Sequence, residues 1–250
     1  MYAQKSVVLI TGATGPIGSA IAREFAKVLS EESQIIITSR SLERLDSVKE
    51  SLEELNPLVT VRALQWALDK PDTEHFRKDL EASTNSVRDF AGNSIKLRTS
   101  KFENAIIVHN ATEHGNFAHS MLDVGANLPL LHEALNINVL STVAITTAFF
   151  EAFGQASHKV VVNMTAHSAD NAYPSYGYNS ICKSAKKMAL NILAKERDDI
   201  KVLHFNPASV DTPAFHQILD QSFNAEIRAM FQKIIDDKQL LPADHVAHVL

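Results

Sequence analysis

Two stretches of this chain have residue types and spacing that could do chemistry. The first is Thr11-Gly12-Ala13-Thr14-Gly15-Pro16-Ile17-Gly18, which follows directly on the apolar run Val7-Val8-Leu9-Ile10 and opens into a helical pattern. A strand, a tight glycine turn and a helix start leave unpaired N–H groups where a pyrophosphate can bind. Gly12 permits the turn, Gly15 admits phosphates to the backbone, and Gly18 lets the helix lie close to the strand. Pro16 fits a first helical turn, where its missing N–H has no helical partner to lose. The second stretch is Tyr178-Asn179-Ser180-Ile181-Cys182-Lys183, just beyond the strand-like run Lys159-Val160-Val161-Val162-Asn163-Met164. An ammonium beside a phenol favours the phenolate, which brings a hydroxyl of ordinary pKa near 10 into useful range.

The glycine loop, with Gly12, Thr14, Gly15, Ile17 and Gly18, predicts dinucleotide binding. A loop selective for NAD usually has an acidic residue about 20 positions on, at the end of the second strand. That region reads Thr38-Ser39-Arg40, with no carboxylate. Hydroxyls and the planar, permanently charged fork of Arg40 suit a 2′-phosphate, so NADP(H) is the expected cofactor.

Short apolar runs alternate with longer helical patterns along the whole chain, the signature of βαβ units and a parallel sheet. The fold class expected is α/β, a Rossmann-type doubly wound parallel sheet forming a single domain over residues 1–250. Strands are predicted near Ser6–Thr11, Gln34–Ser39, Val59–Leu64, Asn104–His109, Lys159–Met164 and Lys201–Phe205. Helices are predicted near Ile17–Ser30, Leu42–Leu55, Thr73–Phe90, Leu130–Phe153, Tyr176–Arg197 and Pro213–Asp237, with a last one starting about Pro242. Asn93 to Lys101, polar and basic, reads as a surface excursion.

Composition narrows the partners. With 24 Lys and Arg against 29 Asp and Glu, the formal net charge of −5 argues against nucleic acid or an anionic membrane as the main partner. The richest apolar segment, Val139 to Phe153, is interrupted by Ser141, Thr142, Thr146, Thr147 and Glu151, so no membrane span is expected. A single cysteine, Cys182, cannot form an internal disulfide, and a reducing, cytoplasmic setting fits best. The 11 histidines are scattered without a compact i, i+4 pair beside a carboxylate, and no metal site is assigned.

These motifs together resemble the short-chain dehydrogenase/reductase family over nearly the whole chain. Within it the likeness is to the sepiapterin reductase branch, carried by Ser39-Arg40-Ser41, Ala134-Leu135-Asn136-Ile137-Asn138, Val161-Val162-Asn163, Val202-Leu203-His204-Phe205-Asn206-Pro207 and Asp211-Thr212-Pro213. The resemblance implies NADPH-dependent reduction of a small-molecule carbonyl, a pterin side-chain ketone in that branch, by a homodimer. It also implies roles for residues. Asn110 ends the fourth strand beside the cofactor, Asp69 contacts adenine, and Thr212 lies near the carboxamide. Asn138 holds a water near the catalytic lysine. Lys183 binds the nicotinamide ribose and lowers the pKa of the tyrosine that donates the proton.

That tyrosine lies four residues before the lysine in the family, where this chain has Asn179; the family serine falls on Ala166. Asparagine can donate a hydrogen bond but cannot exchange a proton at neutral pH. Losing general-acid help costs about 10²–10⁴-fold, and losing an oxyanion donor on the order of 10²–10³ more. Two readings stay open. Tyr178 and Thr165, each one residue earlier, could take over if a π-bulge absorbed the extra residue before Lys183. Otherwise catalysis is weak or changed, or the chain is a nucleotide-binding pseudoenzyme acting through protein contacts. Tyr173 and Tyr176 are further candidates for the donor.

Overall fold

A computed structural model describes residues 4–84, 87–88, 94–95 and 102–250. In chain order the first half contains β1 (Ser6–Thr11), α1 (Pro16–Val28), β2 (Gln34–Ser39), α2 (Leu42–Leu55), β3 (Thr60–Gln65) and α3 (Thr73–Thr84). A two-stranded antiparallel pair, β4 (Val87–Arg88) and β5 (Ser94–Ile95), follows. The second half contains β6 (Asn104–His109), α4 (Met121–Ala126), α5 (Leu128–Leu135), a π-turn at Asn136–Leu140, α6 (Ser141–Ala152) and β7 (His158–Met164). It ends with α7 (Gly177–Glu196), β8 (Ile200–Phe205), α8 (Pro213–Gln221), α9 (Ala225–Asp236) and α10 (Ala243–Val249).

The six long strands form one parallel sheet in the order β3-β2-β1-β6-β7-β8. The central strands β1, β2 and β6 are largely apolar and buried on both faces because helices cover both, while the edge strands β3 and β8 carry Arg62, Gln65, Lys201 and His204. Val7 and Leu9 of β1 pack with Phe76 and Leu80 of α3 and with Ile145 and Phe149 of α6. Their neighbours Val8 and Ile10 pack on the opposite face with Ile21 of α1 and Leu45 of α2. The chain runs outward from β1 to β3 and then returns to the other side of β1, so winding reverses between β1 and β6. A crevice opens at the carboxyl ends of the strands at such a point.

The predicted strands and the fold class match the observed sheet, with β3 displaced by one residue and β7 and β8 each beginning one residue earlier. Three helices differ from expectation. The stretch expected as Pro213–Asp237 is two helices, because Ser222 leaves helical geometry and Asn224 caps α9 through its Oδ1, which accepts from Ile227 N at 3.0 Å. The break lets both helices wrap Phe117, and Phe215, Ile218, Ile227 and Phe231 form a third cluster around it. Helix α3 is described as far as Thr84, and its expected continuation to Phe90 lies outside the described residues except for Val87–Arg88, which are strand. The excursion at Asn93 to Lys101 also lies outside them, apart from Ser94–Ile95.

The long helix expected at Leu130–Phe153 is continuous over Leu128–Ala152 but carries the π-turn. The Asn138 side chain donates to Ala134 O at 2.8 Å, while Thr142 Oγ1 donates to Asn138 O at 2.8 Å. Side chains thus satisfy carbonyls around the irregular turn. By length and composition this helix could cross a membrane, with mean hydropathy 1.3 over 18 residues, which corrects the expectation that no such segment exists. Ile145, Ala148 and Phe149 are packed in the core beside the sheet.

Behind the sheet ends sits a deeply buried lysine. Lys186 is 1% exposed, and its amine donates to His109 O at 3.1 Å. Burial first, and then the charge of Lys183, hold its pKa well below the ordinary lysine value. The fold therefore keeps the amine neutral at a pH where the unfolded chain protonates it. The unfolded state binds more protons between the depressed pKa and about 10.4, so this lysine makes stability rise with pH in that window. Lys186→Met removes the effect. In urea unfolding, the stability of the variant relative to wild type should fall steadily from pH 7 to pH 10; a difference independent of pH would mean that Lys186 is charged in the fold.

Candidate active site

The crevice is a cleft of about 630 Å³ at the carboxyl end of the sheet. Its floor is the β1–α1 loop. Gly12 has φ +65, and a Cβ there would come within 2.9 Å of Ala111 Cα. At Gly18 a Cβ would meet Gly12 O at 2.4 Å, so strand and helix approach only through glycine. Gly15 differs: a Cβ would meet only Gly12 O at 3.5 Å, an ordinary contact. Packing within the protein does not demand glycine there, and its open face belongs to the cleft. Helix α1 starts with no side-chain cap, leaving N–H groups directed at the same space. This arrangement fits a dinucleotide pyrophosphate.

The loop is fixed by a side-chain exchange with β6. Asn110 Nδ2 donates to Thr11 O and Gly12 O, both at 3.1 Å, and Thr11 Oγ1 accepts from the backbone N–H groups of Asn110 and Ala111. Thr14, Ile17 and Thr212 also line the cleft. At the end of β2, Arg40 is exposed on the wall. A second guanidinium, Arg44, donates to Thr14 O at 2.7 Å, and Thr14 Oγ1 donates to Ser39 Oγ at 2.9 Å. Arg44 escaped the sequence reading, although one helical turn beyond Arg40 was the place to look. Trp66 and Leu68 line the wall near Asp69, whose backbone carbonyl accepts from Asn136 Nδ2 at 2.9 Å.

Lys183 stands at the far end, 6% exposed, donating to Met164 O at 2.8 Å and Thr112 Oγ1 at 3.1 Å. Burial lowers its pKa to about 8. Thr165 lines the same wall, buried, with a hydroxyl that has no partner. The open question over Tyr178 resolves against it. Helix α7 is regular, and the π-turn lies in the neighbouring helix instead. One residue is about 100° of rotation, so Tyr178 points away from the Lys183 face. Tyr178 is 1% exposed and absent from the cleft wall. Asn116 Nδ2 can only donate, so His119 Nε2 accepts and His119 Nδ1–H donates to the Tyr178 hydroxyl at 2.9 Å. Burial, and secondarily Asp123, raise the phenol pKa, the reverse of what a proton donor needs.

Asn179 faces the cleft, 4% exposed. Its Oδ1 accepts from Ser168 Oγ at 2.7 Å, and its Nδ2 meets His114 Nδ1 at 3.0 Å. The histidine arrives on the loop after β6, and Asn138 sets that loop. Asn138 accepts from Glu113 N at 3.1 Å and donates to Glu113 O at 2.8 Å. Its side chain therefore positions the loop. Gly115, φ +72, lies against the Tyr178 ring. Sequence reading passed over His114 because a lone histidine in a loop carries no pattern.

The model of the short chain dehydrogenase family matches residues 6–222, and the chain belongs to that family. Its curated relatives include sepiapterin reductase of Rattus norvegicus, 25% identical over 94% of this chain and 86% of that one, and of Xenopus laevis, 27% identical over 92% and 82%. An NADP-dependent 3-hydroxy acid dehydrogenase of Schizosaccharomyces pombe is 24% identical over 82% and 71%. Among solved structures, the KRED1-Pglu enzyme superposes with TM-score 0.78 at 18% identity, covering 97% of this chain and 92% of that one. A Shigella flexneri short chain dehydrogenase complexed with NADP superposes at 0.75 and 18%, covering 97% and 88%.

Gly115 yields a test of the local packing. A Cβ there would lie 2.4 Å from both Cβ and Cγ of Tyr178, in a backbone conformation that already disfavours L side chains. Gly115→Ala should cost at least about 2 kcal/mol in denaturant unfolding, by overpacking and backbone strain together. A loss under half of that would show that the loop is not seated on the ring.

Proposed function

We propose that the chain is an NADP(H)-dependent carbonyl reductase of small molecules, pterin-like ketones among them, working as a homodimer with an altered set of proton and hydrogen-bond donors. The observation that carries the cofactor choice is the pair of Arg40, just past β2 where an NAD-selective site would have a carboxylate, and Arg44 in the first turn of α2. Two forks over a bound ribose favour a 2′-phosphate. Gly12, Gly15 and Gly18 would hold the pyrophosphate, and Asn110, Thr212 and Lys183 would flank the nicotinamide half. A reduced nicotinamide bound there supplies a hydride to a carbonyl carbon.

Lys183 has the role this chain needs at the other end of the bond. Two of the three N–H groups of its ammonium are committed to Met164 O and Thr112 Oγ1, which leaves one. With a pKa of about 8, it is mostly protonated at neutral pH and is an acid of suitable strength. When hydride reaches carbon and the π pair moves to oxygen, one ammonium proton completes the alcohol. The resulting amine regains a proton from water in the open cleft.

The second reading, a nucleotide-binding pseudoenzyme, draws on the same site: Asn179 replaces an exchangeable donor, and Tyr178 is sequestered. The dimer is proposed through α5–α6 and α7. Leu140, Val143, Met188 and Ile192 are each 46–60% exposed on these helices. Ala144 and Leu193 on the same helices pack against the core instead.

Fluorescence titration should give tighter binding of NADPH than of NADH. Arg40→Ala and Arg44→Ala should each weaken NADPH by about tenfold, in line with the worth of a charged hydrogen bond, and leave NADH within about twofold. Equal affinities in wild type would reject the cofactor choice. Sedimentation at micromolar concentration should show a dimer that Val143→Glu with Ile192→Glu converts to monomer; a monomeric wild type would reject the interface.

A further inference from the structure

The loop between β6 and α4 brings to the substrate end of the cleft a histidine whose ring is oriented by the asparagine in the tyrosine position. The amide of Asn179 is itself oriented, because its Oδ1 accepts the Ser168 hydroxyl at 2.7 Å. Its Nδ2 can only donate, so the His114 Nδ1 at 3.0 Å must accept. A neutral imidazole with Nδ1 accepting carries its proton on Nε2. Burial, with Lys183 contributing, lowers the His114 pKa to about 4, so the ring is neutral near pH 7. Both His114 and Asn179 line the cleft with Lys183, which lies one turn along α7. The ring has little freedom, since Asn138 grips the backbone of Glu113 on one side and Gly115 rests on Tyr178 on the other.

We propose that His114 Nε2–H is the hydrogen-bond donor to the substrate carbonyl oxygen, with Asn179 as the positioning residue that fixes its tautomer. The inference rests on the carbonyl-reductase reading. The charge that develops on oxygen as hydride arrives at carbon is held by Nε2–H, while the proton that completes the alcohol comes from the Lys183 ammonium. A neutral imidazole is suited to this because it polarises a carbonyl without having to ionise. Asn179 is thus tied to the histidine that takes over the donor position.

The test combines a readout on the protein alone with turnover. Long-range ¹H–¹⁵N NMR of the cofactor-free protein should show His114 as the Nε2–H tautomer, and Asn179→Ala should convert it to a mixture. With NADPH and either sepiapterin or butane-2,3-dione, His114→Phe should lower kcat/KM by about 10²–10³-fold, the usual loss for one such donor, with NADPH affinity within twofold of wild type. His114→Gln, whose Nε2 donates from a similar place, should recover at least tenfold of that loss. Tyr176→Phe, removing the hydroxyl of the tyrosine that lines the cleft among the described residues, should change the rate by less than threefold.

An Nδ1–H tautomer in wild type overturns the proposal. So does His114→Phe turning over like wild type, or a Tyr176→Phe loss exceeding that of His114→Phe. A wild type that binds NADPH but consumes none with either carbonyl overturns it too. Failure of NADPH to bind at all overturns the reductase reading beneath it, and the separate titration distinguishes that failure from the others.

Discussion

Thr11 and Asn110 exchange hydrogen bonds across the ends of β1 and β6, and the cleft depends on that exchange. The threonine hydroxyl accepts two backbone N–H groups from the β6 end, and the asparagine amide returns two bonds to the carbonyls that begin the glycine loop. Parallel strands supply evenly spaced ladder bonds but nothing that makes neighbours stop together. Here the stop is set by side chains. It holds the phosphate loop and the loop bearing His114 in one frame, so a displacement of either strand end would be felt at both halves of the site.

A chain of positioning contacts extends from that frame to the chemistry. The π-turn between α5 and α6 displays Asn138, which captures Glu113 by both of its backbone groups. Glu113 carries His114 into reach of Asn179, and Asn179 is oriented by Ser168. Most of these bonds are to backbone or to uncharged groups, so their geometry does not depend on pH. Against this neutral scaffold, Lys183 is the group whose charge changes near the working range, and burial is what places it there.

Much of the fold was legible because branched apolar residues fill both faces of the central strands, and such runs stand out against the amphipathic helices. The phosphate loop was legible for a different reason: glycine spacing reports backbone geometry directly. The rest depended on contacts across the chain. Ser222 and Asn224 end one helix and begin another through local hydrogen bonds, within a stretch whose apolar spacing reads as continuous. Tyr178 could be placed beside Lys183 or away from it according to whether α7 was irregular before Lys183; α7 is regular, and the π-turn falls in another helix, where Asn138 and Thr142 satisfy carbonyls around it. His114 and Asn179 are 65 positions apart, and only the folded loop joins them.

The contact between Gly115 and Tyr178 also constrains how this sequence can change. Any side chain at 115 would occupy the space of the Tyr178 side chain, whose carbons would lie 2.4–2.6 Å from its Cβ. One of those atoms is the Tyr178 Cβ itself, which every residue but glycine would keep, so replacing the ring by a small side chain opens no room at 115. The positive φ at 115 adds a second constraint that no change at 178 removes. Drift at 115 is therefore suppressed whichever side chain stands at 178.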